Sequence, residues 1–265
     1  MPDSDAMTAT ADKAAVPAKP AGATNDFAEA FKNIVMVAVI FLAVRVLLFQ
    51  PFTIPSASME PTLLPGDYVV ISKFSYGFSR YSIPFSPPLF EGRLFNRAPE
   101  RGDVVVFKLP RDNHTDYIKR LIGLPGDRIQ VKAGVVLING QPVPRDELPS
   151  TTEAGPFGFA QQVAQFLEHL PNGKSYATRD YGPDGDMENT GVYQVPARSY
   201  FFMGDNRDNS ADSRYSEKDG VGYVPEENLV GKAQVILFSW NEQASVFKPW
   251  TWLLDFRPSR FFNLL

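Results

Sequence analysis

The sequence predicts a mostly β protein, in which an antiparallel β-sheet domain with an inserted loop-rich lobe follows a single N-terminal transmembrane helix. Two observations carry this prediction. One long apolar run, IVMVAVIFLAVRVLLF, lies near the N-terminus. After residue 50 the pattern changes to short runs rich in β-branched and aromatic residues. Turn dipeptides separate these runs, and no long helical stripe interrupts them.

The N-terminal region divides into a tail and a span. Residues 1–26 are rich in Ala, Pro and small polar residues without apolar periodicity, so we expect a disordered tail. Residues 27–50 supply roughly the 20 apolar residues that cross a bilayer. Arg45 lies toward one end of the span, where its long side chain can reach the polar interface. A buried helix of a soluble protein stays open as the alternative.

The charge distribution predicts the orientation of the span. Lys13, Lys19 and Lys32 lie in its N-terminal part or before it. Positive residues favour the cytoplasmic side of a membrane, so we expect the N-terminus in the cytoplasm. Residues 51–265 then lie on the other side.

Residues 51–265 are predicted to form the β-rich domain. Its strands are expected in the runs YVVIS, DVVVFKL, YIKRLIGL, RIQV, VVLING, SYFFMG and KAQVILFSW. Residues 146–195 contain many Gly, Pro, Asp and Asn, which is typical of an inserted, loop-rich lobe. A short helix is expected at residues 159–170 of this lobe, because apolar residues recur there at helical spacing: Phe159, Val163, Phe166, Leu167 and Leu170.

Composition narrows the chemistry. The net charge is −4 and the basic residues form no run, which argues against nucleic acid as a partner. The absence of cysteine excludes disulfides, thiolate nucleophiles and thiolate metal sites. Only two histidines occur, and His114 lies in the polar hexamer RDNHTD, which predicts an exposed turn.

Two residues combine into a candidate nucleophile and base. Ser58 lies in IPSASMEP, a few positions after the span, and a serine needs a base before it can attack. Lys119 in DYIKRLIGLPGD shares a strand face with Tyr117 and Leu121. A lysine on an apolar face must be paired or neutral. Lowering its pKa from ~10.4 to ~8 raises the neutral fraction at pH 7 from about one in 2,500 to about one in ten. A surface lysine is the alternative at this point.

A third stretch, GDNRDNSADSR at residues 204–214, is predicted to be an ordered polar turn. Asp212 and Arg214 are close in sequence and opposite in charge, so they could brace the turn while Ser210 offers a hydroxyl to an amine. A calcium loop is the competing interpretation. It fits poorly, because Ser210 or Ala211 falls where the calcium-loop template requires glycine.

Four motifs in this order after an N-terminal span resemble bacterial type I signal peptidase (leader peptidase). They are SASMEPTLLPGDYVV, DVVVFKLP, DYIKRLIGLPGDRI and MGDNRDNSADSRY, and the resemblance covers residues 54–240 except the lobe. It implies a membrane-anchored, mostly β serine endopeptidase that cuts signal peptides from exported proteins with a Ser/Lys dyad. Ser58 matches the nucleophile and Lys119 the general base. Ser56, with the Ser58 backbone N–H, matches the oxyanion hole.

The resemblance extends to supporting residues and to partners. Ser210 matches a serine that hydrogen-bonds the lysine, and Asp212 and Arg214 match an ion pair. Structural roles are implied for Gly204, Asp205 and Arg120. The implied partners are signal-peptide-bearing precursors and the lipid bilayer, with proximity to the secretion translocon. The implied location is the bacterial inner (cytoplasmic) membrane, and no metal or cofactor is implied.

Two other functions compete with this one. A relative that keeps the scaffold but only binds peptides or assembles at the membrane is disfavoured, because Ser58, Lys119 and Ser210 are all present. A self-cleaving repressor-type Ser/Lys peptidase is disfavoured by the membrane span. The C-terminal tail KPWTWLLDFRPSRFFNLL predicts either an interfacial anchor or a packed terminus, and both stay open.

Overall fold

A computed structural model describes residues 23–154, 160–183, 185–241 and 255–265. The chain divides into two compact units, Met1–Leu42 and Ala43–Leu265. One α-helix, α1, runs from Ala23 to Leu47. The strands are β1 (Phe49–Thr53), β2 (Asp67–Ser72), β3 (Phe78–Ser79), β4 (Arg93–Leu94), β5 (Val104–Lys108), β6 (Asp116–Gly123), β7 (Arg128–Lys132), β8 (Val135–Ile138), β9 (Gln141–Pro142), β10 (Arg145–Ala154), β11 (Ala160–His169), β12 (Ser175–Asp180), β13 (Tyr193–Gln194), β14 (Ser199–Met203), β15 (Val224–Pro225), β16 (Leu229–Ser239) and β17 (Asn263–Leu264). Short 3-10 turns lie at Ala57–Met59, Phe74–Tyr76, Arg80–Ser82, Glu226–Asn228 and Pro258–Arg260.

Helix α1 differs from the predicted span at both ends. It begins four residues earlier, at Ala23, and it ends at Leu47. Phe49 and Gln50 instead form strand β1, because they pair with Ser72 and Ile71 of β2. The segment Asp26–Arg45 is long and apolar enough to cross a membrane, and it is not buried against protein. Of the predicted disordered tail, residues 1–22 lie outside the described part of the chain.

The main sheet has eight strands and positions the two candidate catalytic segments. Its order is β1-β2-β16-β5-β6-β14-β15, with β17 added to β16, and every pairing in it is antiparallel. Alternate residues of β2 are buried, and so are three consecutive valines of β5. Consecutive residues of a strand point to opposite faces, so the sheet is covered on both faces at β5. Phe107 of β5 stacks on Phe202 of β14, with ring centroids 4.7 Å apart. The mostly β, antiparallel prediction is therefore confirmed.

The inserted lobe contains a second sheet as well as loops. Strands β10, β11 and β12 form it, with β11 in the centre. The helix predicted at residues 159–170 is wrong, because residues 160–169 are β11 and Phe159 lies outside the described residues. Strand β11 is bonded on both edges, with Val163 opposite Thr151 and Phe166 opposite Thr178. Partners that lie elsewhere in the chain therefore overrode the local helical spacing. A further sheet has the order β13-β7-β8-β9.

The described part of the C-terminal tail, residues 255–265, packs on the β domain. Strand β17 pairs with β16. Arg260 binds the buried carboxylate of Asp67 with N–O distances of 2.9 and 2.5 Å. Arg257 donates to the carbonyls of Pro65 and Trp240, both at 2.7 Å. These residues favour the packed-terminus interpretation, whereas residues 242–254 lie outside the described part.

Candidate active site

Ser58 lies in the 3-10 turn Ala57–Met59, at the point where the chain leaves β1 and before it enters β2. The turn is anchored in the core, because Met59 and Leu63 are fully buried in one apolar cluster with Ile71 of β2. The Glu60 amide closes the turn by donating to the Ala57 carbonyl at 3.1 Å, and the Leu63 amide donates to the Met59 carbonyl at 2.9 Å. Ser58 itself is 9% exposed. The core therefore holds its hydroxyl at the surface of the sheet with little freedom.

The structure brings Ser58 and Lys119 together. Lys119 Nζ lies 2.6 Å from Ser58 Oγ and 3.1 Å from the carbonyl oxygen of Ile118. The lysine is only 4% exposed, since it lies in the buried part of β6. Its ammonium nitrogen is 5.5 Å from the centre of the Tyr117 ring. The predicted inward lysine is thus within proton-transfer distance of a hydroxyl 61 residues away.

Burial lowers the pKa of Lys119 to about 8. The negative charges of Asp212 and Asp205 oppose this shift, and the positive charge of Arg214 adds to it. With a pKa near 8, about one amine in ten is neutral at pH 7, and a neutral amine can accept a proton from serine. The site therefore places a candidate nucleophile beside a candidate base that is partly neutral at pH 7.

Ser56 lies beside the nucleophile on exposed, extended backbone. Its Oγ is 3.3 Å from Ser58 Oγ. A hydroxyl at this distance is close to where negative charge would develop when Ser58 attacks a carbonyl. This position agrees with the oxyanion role implied for Ser56, which stays a prediction.

A buried ion pair between two of its own residues braces the loop at residues 204–214. Arg214 donates from Nε and Nη2 to the two carboxylate oxygens of Asp212, both at 2.9 Å, and the side chains are 2% and 0% exposed. The Gly204 amide donates to the same carboxylate at 2.9 Å. Burial alone would raise the pKa of Asp212, but Arg214 and these hydrogen bonds bring it below its ordinary value. Asp212 therefore stays charged beside Lys119.

Ser210 is near the pair but does not bond to it. Its Oγ is buried and has no hydrogen-bond partner among the described residues. The hydrogen bonds of Lys119 go to Ser58 and Ile118 instead. The predicted hydrogen bond from Ser210 to the lysine is therefore not made in this structure. Gly204 lies between the groups, since a Cβ there would overlap Ser210 Oγ and come 2.5 Å from the Ser58 carbonyl oxygen.

Arg120 and Asp205 form a second buried pair behind the lysine. Arg120 Nε and Nη2 donate to Asp205 at 2.7 and 2.6 Å. Thr62 donates its hydroxyl to Asp205 at 2.5 Å. The guanidinium also lies over the ring of Tyr176, 4.1 Å from its centre. These contacts join β6, the loop and the inserted lobe, which suits the structural roles implied for Arg120 and Asp205.

Several residues at the site were missed by sequence reasoning. Asn206 donates from its backbone to the Ser58 carbonyl and from Nδ2 to the Ala57 carbonyl, both at 3.2 Å. Glu60, next to the nucleophile turn, forms an ion pair with Arg179 of β12. Asn206 lies in the polar run that the sequence singled out. Arg179 gave no signal, because only the folded lobe brings it to the turn.

An open cleft of about 380 Å³ borders the pair. It is lined by Pro55, Ser56, Ser58, Thr115, Asp116, Tyr117, Ile118, Lys119 and Ala211. Residues 116–119 pair with β5 on one edge. On the other edge, β14 pairs with β6 only from Arg120 onward, so no described strand covers the segment next to the cleft. This edge can accept an extended peptide as an added strand.

The acidic residues of the loop are used in a way that does not fit a calcium loop. Asp205 and Asp212 are each bound by an arginine. Asp208 faces away from them, and its carboxylate lies within 4.8 Å of those of Asp180 and Glu188. Burial and the neighbouring carboxylates raise the pKa of Glu188 and of Asp208. The loop's carboxylates therefore do not converge on one point.

Comparison with known proteins identifies the family. The family model described as "Signal peptidase, peptidase S26" matches residues 27–240. The chain belongs to this family. As a member of the S26 peptidases it is a serine peptidase, a hydrolase of peptide bonds. The matched region contains most of α1, the cleft and every candidate site residue named above.

Relatives of this S26 peptidase carry the same family name. Signal peptidase I of Rickettsia typhi is 43% identical over 254 residues, covering 89% of this chain and 92% of the relative. Signal peptidase I of Rickettsia canadensis is 42% identical over 243 residues, covering 84% and 88%. A crystal structure of a signal peptidase I from Enterococcus faecalis V583 is 24% identical and covers 51% of this chain and 97% of that chain, with a TM-score of 0.30.

Gly204→Ala tests how tightly the site is packed. The added methyl group would overlap Ser210 and the Ser58 carbonyl, so Ser58 or the loop must move. We expect a loss of about 1–3 kcal/mol in the free energy of unfolding, measured in urea, and a loss of peptidase activity. Gly191→Ala is the matched control, because a Cβ at Gly191 meets no atom within 4 Å. Equal stability and activity of the two variants would contradict the packing described here.

Proposed function

We propose that the protein is a membrane-anchored serine endopeptidase that removes N-terminal signal peptides from exported precursor proteins, with Ser58 as nucleophile and Lys119 as general base. The observation that carries this assignment is the 2.6 Å distance between Lys119 Nζ and Ser58 Oγ in a site where the lysine is 4% exposed. The substrate class is supported by the relatives, which are named signal peptidase I.

The reaction follows from the positions of these groups. Neutral Lys119 takes the proton of Ser58 as Oγ attacks the scissile carbonyl. The resulting oxyanion is stabilised by the Ser56 hydroxyl and the Ser58 backbone N–H. Lys119 then returns the proton to the leaving amine, so the amide bond breaks and an ester to Ser58 remains. Lysine finally deprotonates water, which hydrolyses the ester and releases the enzyme.

The cleft suits an extended, small-residue substrate. A peptide added along residues 116–119 would form backbone hydrogen bonds with the uncovered edge of β6, which are independent of sequence. Tyr117, Ile118 and Pro55 line the same cleft, which has a volume of about 380 Å³ beside the scissile bond of the bound peptide. Signal peptides carry small residues at the cut site.

The cellular placement is part of the proposal. Helix α1 serves as a single-pass anchor in the bacterial inner (cytoplasmic) membrane. Lys13, Lys19 and Lys32 favour a cytoplasmic N-terminus, which leaves the catalytic domain on the outer side. There it would act on the lipid-embedded signal peptides of precursors that leave the secretion translocon.

The dyad is tested by Ser58→Ala and Lys119→Ala in the full chain, incubated with a signal-peptide-bearing precursor. Each variant should fold, because both side chains line the cleft and neither belongs to an apolar core cluster, and each should lose about 10³-fold or more in kcat/KM. Lys132→Ala removes an exposed lysine of β7 and serves as the control with unchanged cleavage. Full cleavage by either dyad variant would exclude the assignment. A wild-type protein that binds precursor without cutting it would favour a binding or assembly factor.

The pKa of Lys119 predicts the pH profile. Protonated lysine cannot accept the Ser58 proton, so activity requires the deprotonated form. Below about pH 8, kcat/KM should fall by about tenfold per pH unit, and above pH 8 it should level off. The profile of precursor cleavage between pH 5.5 and 9.5 checks this. A flat profile across that range would mean that Lys119 is not the titrating base.

A further inference from the structure

A third buried ion pair connects the inserted lobe to the loop at residues 204–214. Arg207 of the loop binds Glu168 of β11 through both Nη atoms, with Nη2 2.6 Å from Oε2. The side chains are 6% and 3% exposed. The Tyr176 hydroxyl donates to Glu168 at 2.7 Å and accepts from Arg207 at 3.1 Å. The pair is therefore removed from water and satisfied on both sides.

Arg207 connects this pair to the catalytic groups. Its Nε donates to the Gly204 carbonyl at 3.3 Å, and its own carbonyl accepts a hydrogen bond from Arg214 Nη2. Arg214 binds Asp212, and the Asp212 carboxylate accepts from the Gly204 amide. A closed circuit of hydrogen bonds therefore fixes the interior of the loop. Glu168 is not part of this circuit, but it binds the guanidinium of Arg207, which is.

The pair also contributes to the charge balance around Lys119. Each of three buried carboxylates is matched by one guanidinium, in the pairs Asp205 with Arg120, Asp212 with Arg214, and Glu168 with Arg207. Glu168 offsets most of the positive charge of Arg207 as long as the two form an ion pair. Arg207 nevertheless acts on Arg214 and is acted on by Asp205. Both of those groups act on Lys119. Both side chains of the pair are buried, so a charge left unmatched there is weakly screened and adds to the electrostatic potential at Lys119.

We propose that Glu168 and Arg207 are positioning residues of the peptidase, which hold the loop's hydrogen-bond circuit and keep the surroundings of Lys119 electrically balanced. The proposal rests on the proposed role of Lys119. The pair is not the sole attachment of the lobe, because the Arg179 amide of β12 donates to the Asp205 carbonyl of the loop and the Arg179 carbonyl accepts from the Arg207 amide, both at 2.9 Å. Tyr181 also donates its amide to Asp208 at 2.7 Å. Loss of the pair would therefore leave other hydrogen bonds between the lobe and the loop in place.

The test compares two variants that change the net charge of the pair in opposite directions, so the pH midpoint should move in opposite directions. The groups that face Lys119 are Ser58, Tyr117, Asp205, Asp212 and Arg214. Glu168→Gln leaves Arg207 unmatched, and the extra positive charge should move the acid-limb midpoint of kcat/KM to lower pH. Arg207→Met leaves Glu168 unmatched and should move that midpoint to higher pH. We expect shifts of about half a pH unit or more, and a midpoint near wild type in the double variant.

The matched control is another ion pair, in which Arg101 Nη2 lies 2.8 Å from Asp127 Oδ2. This pair joins the turn before β7 to the sheet and lies outside the loop at residues 204–214. Asp127→Asn and Arg101→Met should lower thermal stability without moving the midpoint. Tyr176→Phe is the mild variant, because it removes the shared hydroxyl and keeps both charges. It should lower kcat by about two- to tenfold with KM and the midpoint unchanged.

The outcomes separate the two proposals. All proteins are full chains, checked for folding by their thermal midpoints and assayed on one signal-peptide-bearing precursor. Midpoints of Glu168→Gln and Arg207→Met that coincide, or that move in the same direction, would overturn the positioning proposal, as would an unchanged kcat in Tyr176→Phe. Absence of cleavage by the wild type, or a wild-type profile without a limb near pH 8, would instead overturn the proposed function.

Discussion

The exclusion of water from one lysine is the constraint on which the rest of the site depends. Lowering the pKa of Lys119 to about 8 corresponds to about 3 kcal/mol of destabilisation of its charged form. Burial supplies most of this free energy. A lysine buried beside two carboxylates would ordinarily form an ion pair with one of them instead. The architecture must therefore desolvate the amine and at the same time limit the stabilisation of its ammonium form by those carboxylates.

The surrounding arginines answer the second requirement. Asp205 and Asp212 lie near Lys119, and each alone would stabilise the ammonium form. Arg120 and Arg214 bind them with two hydrogen bonds each, so much of their field is cancelled locally. Buried ion pairs are a weak source of net stability, since desolvation offsets most of the attraction. Their value here is electrostatic, because they leave the lysine next to a hydroxyl as its best partner.

The sequence predicted the parts of this arrangement that local pattern records. The apolar run located α1, β-branched runs located the strands of the main sheet, and strand alternation turned Lys119 inward. Pattern failed at β11, because its apolar spacing fits a helix and only its two partner strands decide otherwise. The role of Glu168 could not be predicted for the same reason. A single glutamate in the lobe gives no sign that an arginine 39 positions later in the chain lies next to it in space. The sequence placed Ser210 near the lysine, but it could not show that the amine bonds to Ser58 and the Ile118 carbonyl instead.

The inserted sheet is consequently better regarded as part of the site than as an appendage to it. A loop of short polar residues has little apolar surface of its own, so its geometry must be imposed by what it touches. On one side it touches the nucleophile turn, where Asn206 bonds to the Ser58 carbonyl. On the other side it touches β11 and β12 through Glu168 and the backbone of Arg179. These contacts share one hydrogen-bonded loop, so the positioning proposal expects a change in the lobe to alter Asp212 and, through it, the lysine. The distance of the lobe from the cleft in sequence therefore says little about its distance from the chemistry.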